Sequence, residues 1–162
     1  MNSALQLKRP SEPLPIEKDF DPWGGCLDAQ CALRNFGGRS LQQAYELFIS
    51  HPEYHQEDFM FMGPIAFSYY LPVIDRYLRE ITHEEEGCDT EANILGHVVQ
   101  SQLDSNEAPF SASIVQEIEA LSKFVLSSPT RYSDGEGAQA EILSTWGKVH
   151  SALENYRSQK RR

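Results

Sequence analysis

Residues 51–62, with the sequence HPEYHQEDFMFM, hold the densest set of groups in the chain that could do chemistry. Two histidines and three carboxylates lie within eight residues: His51, Glu53, His55, Glu57 and Asp58. Imidazole and carboxylate groups bind zinc and iron, and carboxylates also act as general acids and bases. The segment therefore supplies Glu53, His55, Glu57 and Asp58 as candidate catalytic residues, and His51 and His55 as candidate metal ligands.

The spacing within this segment departs from the known metal-site patterns. In an H-E-x-x-H site the glutamate directly follows the first histidine, whereas here Pro52 takes that place. His51-Pro52-Glu53 matches the H-x-E part of the deaminase pattern, but the sequence has no C-x-x-C to complete it. Glycine-rich phosphate loops and the G-x-S-x-G elbow are also absent from the sequence. The sequence therefore favours a non-enzymatic role and predicts no cofactor.

The segment from Tyr54 to Tyr77 carries more aromatic side chains than one buried helical face of this length can hold. One interpretation is that they pack beneath the amino-terminal arm and the loop around Trp23. It is favoured because a tyrosine can bury its ring and keep its hydroxyl in water. The other interpretation is an exposed patch that binds a partner. Its candidate residues are Tyr54, Phe59, Phe61, Tyr69 and Tyr70.

Apolar residues at helical spacing predict the elements that must position these groups. The predicted helices are 27–35, one from Ser40 to the His51-Pro52 pair, 65–81, 91–103, 113–126 and 136–156. Ser40 with Gln43, and Ser113 with Gln116, have the spacing of capping boxes. Pro72 is expected to bend or split its helix, and residues 53–63 are expected to form a connector. No long period-two alternation occurs. The prediction is an all-α single domain of four to six helices.

The charge of the chain is unevenly distributed. The 162 residues have a net charge of −10, with 14 basic and 24 acidic side chains. Residues 1–19 contain three prolines and are predicted to form an extended arm. Residues 20–156 hold seven basic and 21 acidic groups, a net of −14, and residues 157–162 form a basic tail with four positive charges. The predicted helical domain is thus more acidic than the whole chain.

This composition limits the classes of partner and compartment. Nucleic-acid binders neutralise phosphates with clustered Lys and Arg, so an acidic domain points instead to a basic protein. The sequence contains neither a membrane-length apolar run nor a secretory signal, which predicts a cytoplasmic protein. Three cysteines fit reduced thiols in that compartment, although pairing of Cys26 with Cys31 stays open.

Two stretches within residues 37–78, SLQQAYELFISHPEYHQEDFMFMG and AFSYYLPVIDRYL, resemble a segment of short bacterial proteins that have no established activity. In size and acidity the chain is also similar to immunity proteins that neutralise basic toxins. Neither resemblance implies a role for any residue.

The sequence as a whole predicts a small acidic cytosolic protein that binds a basic protein, in an immunity-like or regulatory role. One alternative is a metal- or carboxylate-dependent enzyme centred on the His51–Asp58 loop. Another is a structural subunit without a small-molecule site.

Overall fold

The computed structural model describes residues 12–83, 91–105 and 110–161. These residues contain helices and no strand, so the predicted all-α class is confirmed for them. In chain order the α-helices are α1 (Glu17–Phe20), α2 (Leu27–Phe36), α3 (Leu41–Ser50), α4 (Pro52–His55), α5 (Asp58–Phe61), α6 (Pro64–Glu80), α7 (Ala92–Asp104), α8 (Ala112–Ser127) and α9 (Glu136–Lys160). A 3-10 turn, Pro129–Arg131, lies between α8 and α9. Residues 1–11 of the predicted arm and Cys88 lie outside the described residues.

The helices outnumber the four to six predicted from the sequence. Among the described residues, α1, α4 and α5 are single turns of four residues each. A turn of this length is too short to show a repeating apolar stripe, which explains why α4 and α5 were expected to be an irregular connector. No helix of the described residues is both long enough and apolar enough to cross a membrane.

The chain forms two compact units, residues 1–77 and residues 78–162. The boundary falls inside α6, between Tyr77 and Leu78. The sequence prediction placed residues 20–156 in one domain, and no glycine, proline or charge run marks this boundary. Each unit has a hydrophobic core of its own.

Unit 1 is built around aromatic rings from α2, α3, α5 and α6. The ring centre of Phe36 lies 5.0 Å from that of Phe59 and 5.7 Å from that of Tyr70. Phe48 lies 5.4 Å from Phe59 and 4.9 Å from Tyr77. All five side chains are buried. Tilted and edge-on arrangements at these separations are the favourable ones for aromatic pairs, so the rings link four helices into one core.

Pro72 does not split α6, contrary to one of the two outcomes predicted for it. The helix runs without a break from Pro64 to Glu80. A proline inside a helix costs about 3 kcal/mol, because it removes a backbone hydrogen bond and crowds the preceding turn. The residues on either side of it, Leu71 and Val73, are buried. Burial of apolar side chains along the helix offsets this cost.

Unit 2 is organised by α9, which packs against α7 and α8. Five apolar residues recur at helical spacing along the predicted helix 136–156, and all five are buried: Ile142, Trp146, Val149, Leu153 and Tyr156. The indole Nε1 of Trp146 donates to the backbone oxygen of Ala92 at 2.9 Å. On the facing helix, a Cβ added at Gly96 would lie 2.6 Å from Cγ2 of Thr145. The close approach of α7 and α9 therefore requires glycine at position 96.

The helix ends confirm one capping prediction and correct another. Ser40 and Gln43 form the predicted capping box, in which the Ser40 hydroxyl accepts from the backbone N–H of Gln43. At the start of α8 the capping residue is Ser111, whose hydroxyl accepts from the backbone N–H of Ile114. The predicted box at Ser113 is therefore wrong. Ser113 has a glutamine three residues later, whereas Ser111 has Ile114 there, so the capping-box spacing favours the wrong serine. A serine can cap a helix with its hydroxyl alone, without the glutamine.

The predicted basic tail is partly helical, because α9 continues through Arg157 to Lys160. At the other end of the chain, α1 begins at Glu17, so residues 17–19 of the predicted extended arm are helical instead. The first residue after the arm reaches the core of unit 1. Phe20 is fully buried, and its backbone oxygen accepts from Gly63 N at 2.8 Å.

Candidate functional site

A loop between α1 and α2, residues 21–26, is held in one shape by the carboxylate of Asp21. This side chain is 7% exposed and accepts from the backbone N–H of Gly24 at 3.1 Å and of Cys26 at 3.2 Å. Its second oxygen also accepts from Nε2 of Gln30 at 3.0 Å, which ties the loop to α2. Gly24 and Gly25 have φ values of 75° and 84°, a region that side chains disfavour. The Asp21 carboxylate therefore holds the loop in place, and the two glycines permit the backbone conformation that this requires.

The loop and its two flanking segments present three large apolar side chains to solvent. Trp23 is 78% exposed and Leu27, the first residue of α2, is 82% exposed. Ile16, just before α1, is 65% exposed. Ile16 and Trp23 also line a shallow groove of about 500 Å³. Such exposure of a tryptophan on an ordered loop is unusual, because most of the surface of a tryptophan side chain is buried in a typical folded domain. We call Ile16, Trp23 and Leu27 the apolar triplet.

The surroundings of the apolar triplet are acidic. Residues 16–30 contain four carboxylates and one basic side chain, Lys18. Of the four, Asp21 is committed to the loop, whereas Glu17 and Asp28 lie at exposed positions. Lys18 is exposed as well and lines the groove together with Glu17. The net charge of residues 16–30 is nevertheless negative, and such an excess attracts a partner of the opposite sign. The chemistry of this surface thus matches a basic and partly apolar segment.

The sequence-predicted aromatic candidates divide into two groups. Phe59 and Tyr70 are fully buried and Tyr69 is 8% exposed, so none of the three can form an exposed partner surface. The oxygen of the Tyr70 hydroxyl lies 2.8 Å from the backbone oxygens of Phe36 and Arg39, which share its single hydrogen as acceptors. Burial and the neighbouring Tyr69 raise the pKa of the Tyr70 phenol. Tyr54 and Phe61 are 75% and 38% exposed, and only these two remain on the surface.

His55 and Asp58 are the one pair of the candidate catalytic residues for which the structure gives a contact. Nδ1 of His55 lies 3.2 Å from Oδ2 of Asp58, and the two side chains are 12% and 13% exposed. The same carboxylate oxygen accepts from Nδ2 of Asn35 at 2.8 Å. The His55 ring meets the Phe36 ring edge-on at 5.7 Å. A carboxylate can orient an imidazole in this way, and here it also links α5 to α2.

The other charged residues of this segment lie apart from that pair. His51 and Glu53 are exposed, with Nδ1 of His51 3.8 Å from Oε1 of Glu53. Glu57 is exposed at the residue before α5. Within residues 12–83, 91–105 and 110–161, no three histidine, cysteine or acidic side chains are grouped so as to hold a metal ion. The predicted ligands His51 and His55 are therefore not part of such a group.

The two described cysteines are free thiols. Cys26 is exposed, and Cys31 is partly buried with Nη2 of Arg34 3.0 Å from its sulfur. Cys26 lies within the loop that carries Trp23, so its accessible sulfur can take a covalent label beside the apolar triplet.

No protein-family model, curated protein or solved structure is significantly similar to this chain. Its function therefore has to be inferred from the geometry and charge of the described residues.

Proposed function

We propose that this chain is a small cytosolic protein that binds a basic segment of a partner protein, and that the apolar triplet of unit 1 is the docking site. The proposal depends above all on Trp23, which is 78% exposed on a loop that a nearly buried carboxylate holds in place. An ordered loop loses little conformational freedom when a partner binds, which favours affinity. Tryptophan is also among the residues that most often dominate the energy of protein interfaces.

The proposed partner is basic because of the charges around the loop. Apolar side chains of the partner would cover Trp23 and Leu27, and its lysines or arginines would lie near Glu17 and Asp28. Attraction of this kind increases the association rate most at low ionic strength. An immunity-like or regulatory role fits this chemistry, since both act through a protein partner.

The experiment compares three immobilised forms of the full chain: wild type, Trp23→Ala and Tyr54→Ala. Tyr54 is the matched control, because it is a 75% exposed aromatic residue of the same unit that lies outside the loop. Each form is exposed to native cytosol at low ionic strength. We expect wild type and Tyr54→Ala to retain the same basic protein, and salt to release it. Removing a dominant interface side chain costs about 2–4 kcal/mol, so Trp23→Ala should weaken retention by roughly 30-fold or more.

Three results would contradict the proposal. The first is that no protein is retained above an uncoated matrix. The second is that Trp23→Ala retains the partner as well as Tyr54→Ala does. The third is that the retained protein is acidic and resists release by salt.

A further inference from the structure

A pocket of about 320 Å³ lies in unit 2, between the first turn of α8 and the last turns of α9. Its apolar surface comes from Ala112, Val115 and Tyr156, and its charged surface from Arg157, Lys160 and Arg161. Its volume is at the small end of the range for small-molecule sites, which starts at roughly 300 Å³. The pocket thus combines apolar and cationic surface in a space that suits a small ligand.

Two of the three cations are held in position by other parts of unit 2. The guanidinium of Arg157 makes a forked pair with Glu119, with nitrogen–oxygen distances of 2.6 and 3.3 Å. Nζ of Lys160 donates to the backbone oxygen of Phe110 at 2.8 Å and lies 4.9 Å from the ring centre of Tyr156. An ammonium and a guanidinium each carry more donors than these contacts use. The two groups are therefore pre-positioned and can still donate to a ligand.

The charge at this pocket is opposite to that of the whole chain. The chain has a net charge of −10, yet no carboxylate is among the residues that line the pocket. Ala112 is also the first residue of α8, a helix of 16 residues whose amino-terminal end carries a partial positive charge. The cations and the helix end favour a negatively charged group at the same place.

We propose that this pocket binds a small amphipathic anion, which is a carboxylate or phosphate attached to a short apolar chain. The anionic head would accept hydrogen bonds from Lys160 and Arg161 at the rim. The apolar body would pack on Val115 and Tyr156. Guanidinium groups match carboxylate and phosphate equally well, so the two heads share one recognition chemistry. This site is separate from the docking site proposed for unit 1 and does not depend on it.

The test is an NMR titration of the full chain with octanoate and with octyl phosphate, each kept below its micelle concentration. Octanol has the apolar chain without the charge, and acetate has the charge without the chain. We expect at least one of the two amphipathic anions to give saturable shifts at the amides of Ala112 and Val115. We expect neither octanol nor acetate to do so.

Two variants and one matched control locate the binding. Arg161→Gln removes a rim charge and should weaken anion binding roughly tenfold, as expected for a charge-assisted hydrogen bond. Lys148→Gln removes an equal charge from an exposed position of the same helix and should leave binding unchanged. Ala112→Trp should fill the pocket and abolish the shifts at Val115, while far-UV circular dichroism shows that the fold is kept.

The proposal is wrong if neither anion saturates or if octanol shifts the same amides as strongly. It is equally wrong if Lys148→Gln weakens binding as much as Arg161→Gln, because the effect would then be one of overall charge.

Discussion

The variant Gly96→Ala tests whether the close approach of α7 and α9 determines the stability of unit 2. The added methyl would lie 2.6 Å from Cγ2 of Thr145 and 2.9 Å from Nε1 of Trp146. Neither atom can move aside cheaply, because Thr145 is β-branched and the Trp146 indole is rigid and fully buried. The Trp146 indole also donates a hydrogen bond to a backbone oxygen of α7, and shifting the indole would weaken that bond.

Two opposing effects determine how much Gly96→Ala changes the free energy of unfolding. Replacing glycine by alanine inside a helix stabilises it by about 1 kcal/mol. Overpacking a well-filled core costs about 1–3 kcal/mol, and two contacts with side chains that cannot yield place this variant in the upper half of that range. We therefore expect Gly96→Ala to lower the free energy of unfolding by about 1–2 kcal/mol, which would lower the urea midpoint by roughly 0.5–1 M.

The assay is urea unfolding followed by tryptophan emission, which reports mainly on the buried Trp146. Gly147→Ala is the matched control, because it makes the same substitution in α9 at a position where the added methyl meets nothing within 4 Å. Gly147→Ala should raise the urea midpoint, because the higher helix propensity of alanine is then the only effect of the substitution. If Gly96→Ala stabilised the protein as much as Gly147→Ala does, the packing of α7 against α9 described above would be wrong.

Three further predictions concern single side chains. Hydrogen bonding to Arg157 lowers the pKa of Glu119 from its ordinary 4.5 to about 2, so the stability this pair contributes is complete above pH 4.5 and is lost as the pH falls toward 2. In Arg157→Gln, a carboxyl NMR titration should show the pKa of Glu119 rising toward 4.5, and an unchanged value would contradict the pairing. Tyr70→Phe should destabilise the protein by about 1–3 kcal/mol in urea unfolding, because two backbone oxygens lose the hydroxyl, and a change near zero would show that they do not depend on it. Trp23→Ala should change the free energy of unfolding by less than about 0.5 kcal/mol, since its side chain is 78% exposed, and a larger loss would assign it a structural role.

The long helices could be predicted from the sequence because each carries its own signals. Ser40 and Gln43 mark the start of α3, and Pro52 lies two residues after its last residue, Ser50. The stripe from Ile142 to Tyr156 placed the buried face of α9 correctly. The place where one unit gives way to the other could not be predicted. It lies in the middle of α6, and only contacts between distant parts of the chain define it.

The candidate site was harder to predict, because exposure depends on tertiary packing. The less favoured interpretation of the aromatic segment included Tyr69 and Tyr70 in an exposed partner-binding patch, but both rings are buried in unit 1. The favoured interpretation packed the aromatic rings beneath the amino-terminal arm and the loop around Trp23. Those two rings are buried as it expected, whereas the Trp23 side chain itself is 78% exposed. The available signal was a large apolar residue set between two turn-forming pairs, Asp21-Pro22 and Gly24-Gly25. Such a position is rarely buried, since loops run over the surface.

The most direct test of the docking proposal is site-specific photocrosslinking in native cytosol at low ionic strength. A benzoylphenylalanine is placed at position 23 in one form of the chain and at position 54 in another. Both positions hold exposed aromatic residues of unit 1, so labelling by chance should be similar. We predict that the form labelled at position 23 gives a crosslink to a basic protein and that the form labelled at position 54 does not. A crosslink from position 54 alone, or equal crosslinking from both positions, would contradict the assignment of the apolar triplet as the docking site.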